Sequence, residues 1–242
     1  MFKRSYGELS GDAMLFSLQA SLDAYNKKEG AECGKIADSK NAIIVSCSPL
    51  MRRVHSMVPE SAEIVFVDSS GNCDRTNRVF LILTHSANGR LPLGVRMMTS
   101  SKSQSVITAG LQLLKSILPE DAFFRRGELG PQVVMTDDCQ ALRQALSDCY
   151  PQTTPILCVF HILQAMWRWL WDAHNVVPKS DRQHLLQLFK AMVYAKNPGE
   201  LEASYHGALE DSTAKLHPRY CKYLTVIFSR REASDVSFDV TL

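Results

Sequence analysis

A chain of 242 residues with a formal net charge of +2, 45% hydrophobic and 21% charged, is long enough for one large domain or for one domain with an inserted subdomain. The near-balance of charge gives no global polyanion-binding signature, so any contact with nucleic acid must come from local patches such as Arg52–Arg53 and Arg230–Arg231. Seven scattered cysteines, with no signal-peptide pattern before them, point to free thiols in a reducing compartment, and no apolar run reaches the length of a membrane span.

The first element expected is an amphipathic helix over Met14 to Tyr25, with Leu15, Leu18, Leu22 and Tyr25 at helical spacing, lying outside the main body of the fold. Near Asn41 to Met57 come a short strand, "AIIVS", and a helix, "PLMRRVHSMV", begun by Pro49. From Glu63 the pattern becomes three strands, "EIVFVDSSG", "RVFLILTHS" and "LPLGVRMMT", which predict an antiparallel meander. The stretch "SQSVITAGLQLLKSIL" predicts a helix with Val106, Ile107, Leu111, Leu114 and Ile117 on one side, ended by Pro119. Then come a strand, "QVVMTDD", a helix, "CQALRQALSDCY", a buried strand, "PILCVF", and a segment holding all three tryptophans. Strands separated by helices can return parallel to earlier ones, so this order suits a mixed sheet with helices packed on it. After about Asp181 the chain reads as wholly helical.

Two carboxylates stand out by position. Asp68 lies at the C-terminal end of the first meander strand and Asp137 at the C-terminal end of the first strand after the helix. If those strands are parallel neighbours, both emerge at one sheet edge, where hard oxygen ligands can hold divalent ions for phosphodiester cleavage. The alternative is that both are turn or helix-cap residues, since Asp-Ser-Ser-Gly and Thr-Asp-Asp are good turn sequences.

Together, "EIVFVDSSGNCDRTNRVFLILTHSANGRLPLGV", "VVMTDD" and "CVFHILQAMWRWLWD" resemble the catalytic core of Mutator-like (MULE) transposases, in the version found in transposon-derived animal proteins. The resemblance runs from about Pro49 onward. It implies an α/β, ribonuclease-H-like mixed sheet flanked by helices, with the start of an all-helical insertion. The expected divisions are a helical lead-in over 1–58, the core over 59–172 and a truncated insertion over 173–242. It also implies metal-dependent DNA cleavage and strand transfer at transposon ends, with Mg2+ or Mn2+ held by Asp68 and Asp137 as the first two catalytic acids. Asp138 is expected to cap the following helix. The implied partners are DNA and, in assembly, further copies of the chain; no membrane and no small-molecule substrate are implied, and the compartment is the nucleus.

Cys158 and His161 match the family's Cys-x-x-His signature. As a zinc site the pair is incomplete, because structural zinc takes four ligands and only His217 or Cys221 is left to complete it. Zinc is therefore not expected. Cys158 is expected as a small buried residue of the last core strand. His161 is expected to face the acidic site, where it contacts DNA phosphate or orients a catalytic group; the competing reading is a satisfied core histidine. Trp167 and Trp171 are four apart and share a helix face. Core packing is the expectation for them, and a platform for unstacked bases the alternative.

The resemblance fails near the end. "FKAMVYAKNPGELE" matches the family's insertion, with Glu200 placed to favour a helix dipole, but "EASDVSFDVTL" does not match the setting of the third catalytic Glu. Asp74, Glu63 and Glu120 are expected too far from the sheet edge to substitute, and Glu232 and Asp235 only if the tail folds back. Two readings result: a transposase core whose third acid is missing, inactive or nearly so alone, and a transposon-derived, non-catalytic protein that binds DNA or protein. A nuclease acting on RNA–DNA hybrids would need a denser carboxylate cluster.

Overall fold

The computed structural model describes residues 11–37, 43–70, 78–86, 89–98 and 103–233. Two compact units divide the chain, residues 1–155 and 156–242. The lead-in segment falls within the first of these units, and the Trp-bearing helix within the second.

The first unit opens with helix α1 (Gly11–Glu29), longer at both ends than the Met14–Tyr25 stretch read from spacing. Strands β1 (Gly34–Ala37) and β2 (Ile43–Ser46) come next as an antiparallel pair. Asn26 ties α1 to this pair. Its Oδ1 accepts from the backbone N–H groups of Cys33 at 2.8 Å and Gly34 at 3.0 Å, and its Nδ2 donates to the Gly34 carbonyl at 2.8 Å. Backbone groups beside a short strand are thus satisfied by one side-chain amide. The lead-in helix does not lie outside the fold, as its sequence suggested, but is fastened to the sheet.

Helix α2 (Pro49–Met57) has proline in its first turn, as expected, and Ser48 as N-cap, accepting from the Met51 N–H at 3.4 Å. A single turn, α3 (Glu60–Glu63), leads into β3 (Ile64–Ser70), β4 (Arg78–Ser86) and β5 (Gly89–Met98). These form the antiparallel meander, with a bulge between Ile82 and Leu83. Helix α4 (Gln104–Ile117), the turn α5 (Ala122–Arg125), strand β6 (Val133–Thr136), helix α6 (Gln140–Cys149) and strand β7 (Thr154–Leu157) complete the run.

The sheet has seven strands in the order β1-β2-β5-β4-β3-β6-β7. β3 and β6 are parallel, whereas β3–β4, β4–β5 and β2–β5 are antiparallel. A parallel neighbour requires a crossover, and α4 lies within it. The mixed sheet flanked by helices is consistent with the ribonuclease-H-like arrangement expected from the sequence. The predicted face of α4 is the buried one: Val106, Ile107, Leu111, Leu114 and Ile117 pack with Val65, Val67, Ile82 and Val134 of the sheet and Leu142 and Leu146 of α6. Each such aliphatic contributes roughly 1.5–3 kcal/mol by leaving water.

The turn α5, at the edge of this core, had no counterpart in the sequence pattern. It is not a right-handed turn: Phe123, Phe124 and Arg125 have φ of 52°, 46° and 72°. Each left-handed non-glycine residue costs roughly 1–3 kcal/mol, so neighbouring groups must hold the turn. His55 of α2 does so. Its Nδ1 accepts from the Phe123 N–H at 3.2 Å while its Nε2 lies 2.9 Å from the Leu93 carbonyl, and its ring meets Phe123 edge-on at 4.8 Å. Nδ1 can accept only if unprotonated, so Nε2 carries the hydrogen and donates to Leu93.

The second unit is helical, as expected beyond Asp181. It comprises α7 (Val159–Trp171), α8 (Lys179–Val193), α9 (Pro198–Glu210), the single turn α10 (Ser212–Lys215) and α11 (Pro218–Ala233). Met166, Leu170, Leu185, Phe189, Tyr220 and Leu224 form its centre, and the Tyr220 hydroxyl donates to the Leu185 carbonyl at 2.7 Å. Glu200 does more than favour the α9 dipole: its Oε2 accepts from the Lys196 N–H and its own N–H donates to Asn197 Oδ1, both at 2.9 Å. Asp211 caps α10 through Oδ1, which accepts from the N–H groups of Thr213 and Ala214 at 2.9 Å, and its Oδ2 lies 2.9 Å from His184 Nε2. Those bonds hold its carboxyl below the usual range. Asp211→Ala is expected to cost about 1 kcal/mol, the usual loss of an N-cap, measured by denaturant unfolding near neutral pH. The loss shrinks as pH falls and the Asp211 carboxylate protonates, because a depressed folded pKa stabilises only the ionised form.

Candidate active site and the head of helix α7

The register of β3 with β6 decides whether Asp68 and Asp137 are neighbours. Ile64 pairs with Val133, Val65 with Val134 and Phe66 with Met135. Carried two residues further in parallel, the register sets Asp68 level with Asp137. Side chains alternate along a strand. Val65, Val67, Val134 and Thr136 are buried toward the helices, so the two aspartates lie with Phe66 and Met135 on the opposite face. Asp68 is exposed and Asp137 half-buried. Asp68 sits inside β3 rather than past its end, paired across to Leu81 of β4.

Asp137 also has the turn role that spacing allowed. Its Oδ1 accepts from the Cys139 N–H at 3.2 Å and from the Thr136 hydroxyl at 3.4 Å. Both bonds fall on Oδ1, which fixes the carboxylate plane without engaging Oδ2. Asp138 does not cap the next helix, contrary to expectation. The N-cap of α6 is Cys139, with no side-chain cap bond, and Asp138 Oδ1 instead pairs with Arg143 Nη2 at 3.1 Å.

Among the described residues no group of three or more His, Cys, Asp or Glu is placed to hold a metal ion. Glu63 precedes β3, at the far end of the strand from Ser70, and Glu120 lies between α4 and α5. Asp74 and Asp235 lie outside the described residues, as do the side chains of Arg230, Arg231 and Glu232.

Cys158 and His161 belong to the helical unit. Cys158 is not a buried strand residue: β7 ends at Leu157, and Cys158 is the half-buried N-cap of α7. His161 stands in the first turn of α7, its ring edge-on to Phe160 at 5.5 Å. The two residues named as completing a zinc site are engaged elsewhere. His217 Nε2 is 2.9 Å from Asp181 Oδ2, and Cys221 Sγ donates to the Ala214 carbonyl at 3.3 Å.

Trp167 and Trp171 are not core residues, contrary to expectation. Trp169 is the one that packs, stacked on Tyr223 at 5.2 Å. Trp167 and Trp171 are 43% and 41% exposed and stack on each other at 3.7 Å. Arg182, not singled out by any motif, places its guanidinium 4.9 Å from the Trp171 ring. Ile162, Met166 and Leu170 supply α7 with a complete buried stripe, so the stripe of Trp167 and Trp171 is surplus to it.

A mixed sheet flanked by helices, with Asp68 on β3 and Asp137 just past the end of the parallel strand β6, is consistent with a ribonuclease-H-like arrangement. Residues 75–165 match the family model of the MULE transposase domain. The match includes Asp137, Cys158 and His161, while Asp68 precedes it. No curated protein matches the chain. The match indicates a transposase-related function; domains of this class bind DNA and commonly use divalent metals. No helix among the described residues is long and apolar enough to cross a membrane.

Proposed function

We propose that this chain is a catalytic-core portion of a MULE-type DNA transposase acting at transposon ends in the nucleus, with Asp68 and Asp137 as its metal-binding acids. The observation that supports the reading is the β3–β6 register, which, continued two residues past Phe66–Met135, brings the positions of Asp68 and Asp137 level. Hard oxygen donors of this kind suit Mg2+ or Mn2+, which need only one or two carboxylates when water and substrate phosphate complete the shell. Bound there, the ion would supply Lewis-acid polarisation of the scissile phosphate and activation of water. Exposed Asp68 meets solvent and substrate, while Asp137, locked through Oδ1 by Cys139 and Thr136, offers a carboxylate of fixed orientation. His161 is assigned to a DNA phosphate.

Two carboxylates compensate the transition-state charge less fully than three, so this polypeptide alone is expected to be inactive or nearly so. A non-catalytic role in binding DNA or protein is the second reading. Titration calorimetry with Mg2+ and Mn2+ separates the two. Saturable binding by the chain that is lost in Asp68→Asn/Asp137→Asn supports the metal site. Absence of binding in both proteins removes it and leaves the binding role.

A further inference from the structure

Helix α7 carries two apolar stripes, and the fold uses one. Ile162, Met166 and Leu170 are buried in the helical unit, whereas Phe160, Trp167 and Trp171, about 120° round the helix, are 64%, 43% and 41% exposed. Leaving two indoles in water forgoes some of the largest burial contributions available to a side chain. Their geometry is also preset: the rings lie 3.7 Å apart and 19° from parallel. Arg182 extends the stack over Trp171 and is itself held by an Nε bond to the Val177 carbonyl at 3.0 Å. The result is a guanidinium and two stacked indoles in contact, with both indoles partly exposed. Arg168, beside Trp167 in sequence, is exposed. The nearby acid Asp172 is already occupied, accepting from the His174 N–H at 2.9 Å and lying 2.8 Å from His174 Nδ1.

A ligand that fits this stack is planar, aromatic and attached to negative charge. An apolar protein segment would gain little from a flat stack edged by guanidinium groups, whereas an unpaired nucleobase extends the stack and brings its phosphates to the arginines. We propose that the Trp167–Trp171 pair is a platform for an unpaired nucleobase, with Arg168 and Arg182 serving the flanking phosphates. Because the pair is stacked before the ligand arrives, little side-chain freedom is lost on binding. The proposal rests on the reading that DNA is the partner, and it adds that the helical unit takes a strand whose bases are not paired.

The test uses the full chain and three labelled DNAs: a short single strand, the same strand with abasic sites at its centre, and the corresponding duplex. The abasic strand keeps the phosphates and removes the stacking partners. Anisotropy titrations are expected to give binding of the intact single strand on the order of ten-fold tighter than of the abasic one. In Trp167→Ala/Trp171→Ala that preference disappears while the melting temperature is kept. Equal affinity for intact and abasic strands overturns the proposal without any variant. So does a double variant that keeps the preference, or one that loses only self-association in sedimentation, which would make the face an interface between copies. Duplex binding without base dependence removes the platform and leaves the DNA-processing reading standing. Failure to bind any of the three removes both.

Discussion

Acidification from pH 7 to pH 4 is expected to remove about 3 kcal/mol from the stability of the sheet unit through His55 alone. Burial pushes the His55 imidazole down from 6.5 to about 4, against a smaller opposing effect of its bond to the Leu93 carbonyl. The folded protein thus holds His55 neutral at a pH where the unfolded chain has protonated it. Its contribution is complete above pH 6.5 and fades as pH falls toward 4, by about 1.4 kcal/mol for each pH unit crossed. Protonation also removes the acceptor for the Phe123 N–H, so the left-handed turn at Phe123–Arg125 loses its anchor. His55→Gln offers a control, since the amide can accept from Phe123 and donate to Leu93 without titrating. Urea unfolding at pH 7, 5.5 and 4.5 should show a clear loss in the parent and a flatter profile in His55→Gln; parallel profiles would show that His55 is not the group responsible.

A comparable loss is expected from a single methyl at Gly130. This residue has φ 72° and ψ −171°, a conformation almost confined to glycine. A Cβ there would lie 2.4 Å from Cδ1 of the Tyr150 ring, and Tyr150 is buried against Phe123, with ring centroids 5.7 Å apart. The ring cannot retreat without displacing the same turn that His55 supports. Backbone strain and overpacking together should cost about 3 kcal/mol or more, a fall in melting temperature of roughly 10 °C for a chain of this size. Gly207→Ala makes the contrast. That glycine is inside α9 with open space around its would-be Cβ, so the change should be neutral or stabilise by up to about 1 kcal/mol. Equal melting temperatures for Gly130→Ala and the parent would contradict the packing described for Tyr150.

The elements that were legible in the sequence are those whose burial has a simple period. The buried side of α4 was readable residue by residue, because Val106, Ile107, Leu111, Leu114 and Ile117 repeat at helical spacing. The meander was readable from alternation, and the parallel return of β6 from the crossover rule. Whether Asp68 and Asp137 come level depends on one thing that no local pattern carries, the β3–β6 register. Cys158 was misplaced because "PILCVF" is apolar throughout, and nothing in such a run marks where strand gives way to helix. The exposed tryptophans were misplaced for a related reason. A helix with two apolar stripes does not announce which one faces its neighbours, and side-chain size favoured the wrong answer. The left-handed turn in "AFFRR" contains no glycine or asparagine that would have pointed to it.

The spacing of the two carboxylates depends on very little chain. β6 is four residues long, Val133–Thr136, and its ladder with β3, continued past Phe66–Met135, sets the positions of Asp137 and Asp68 level. Residues before it, through α4 and α5, can lengthen or shorten without altering that spacing, provided the crossover still closes. A single residue lost or gained within β6 cannot be absorbed in this way: it would turn Asp137 to the face where Val134 and Thr136 now lie and bring an apolar residue to the face of Asp68. Over generations of sequence drift, therefore, tolerance for insertions should be broad across the connecting helices and almost nil across these four positions. A descendant that keeps both aspartates but changes the length between Val133 and Asp137 would retain the letters of the site and lose its geometry.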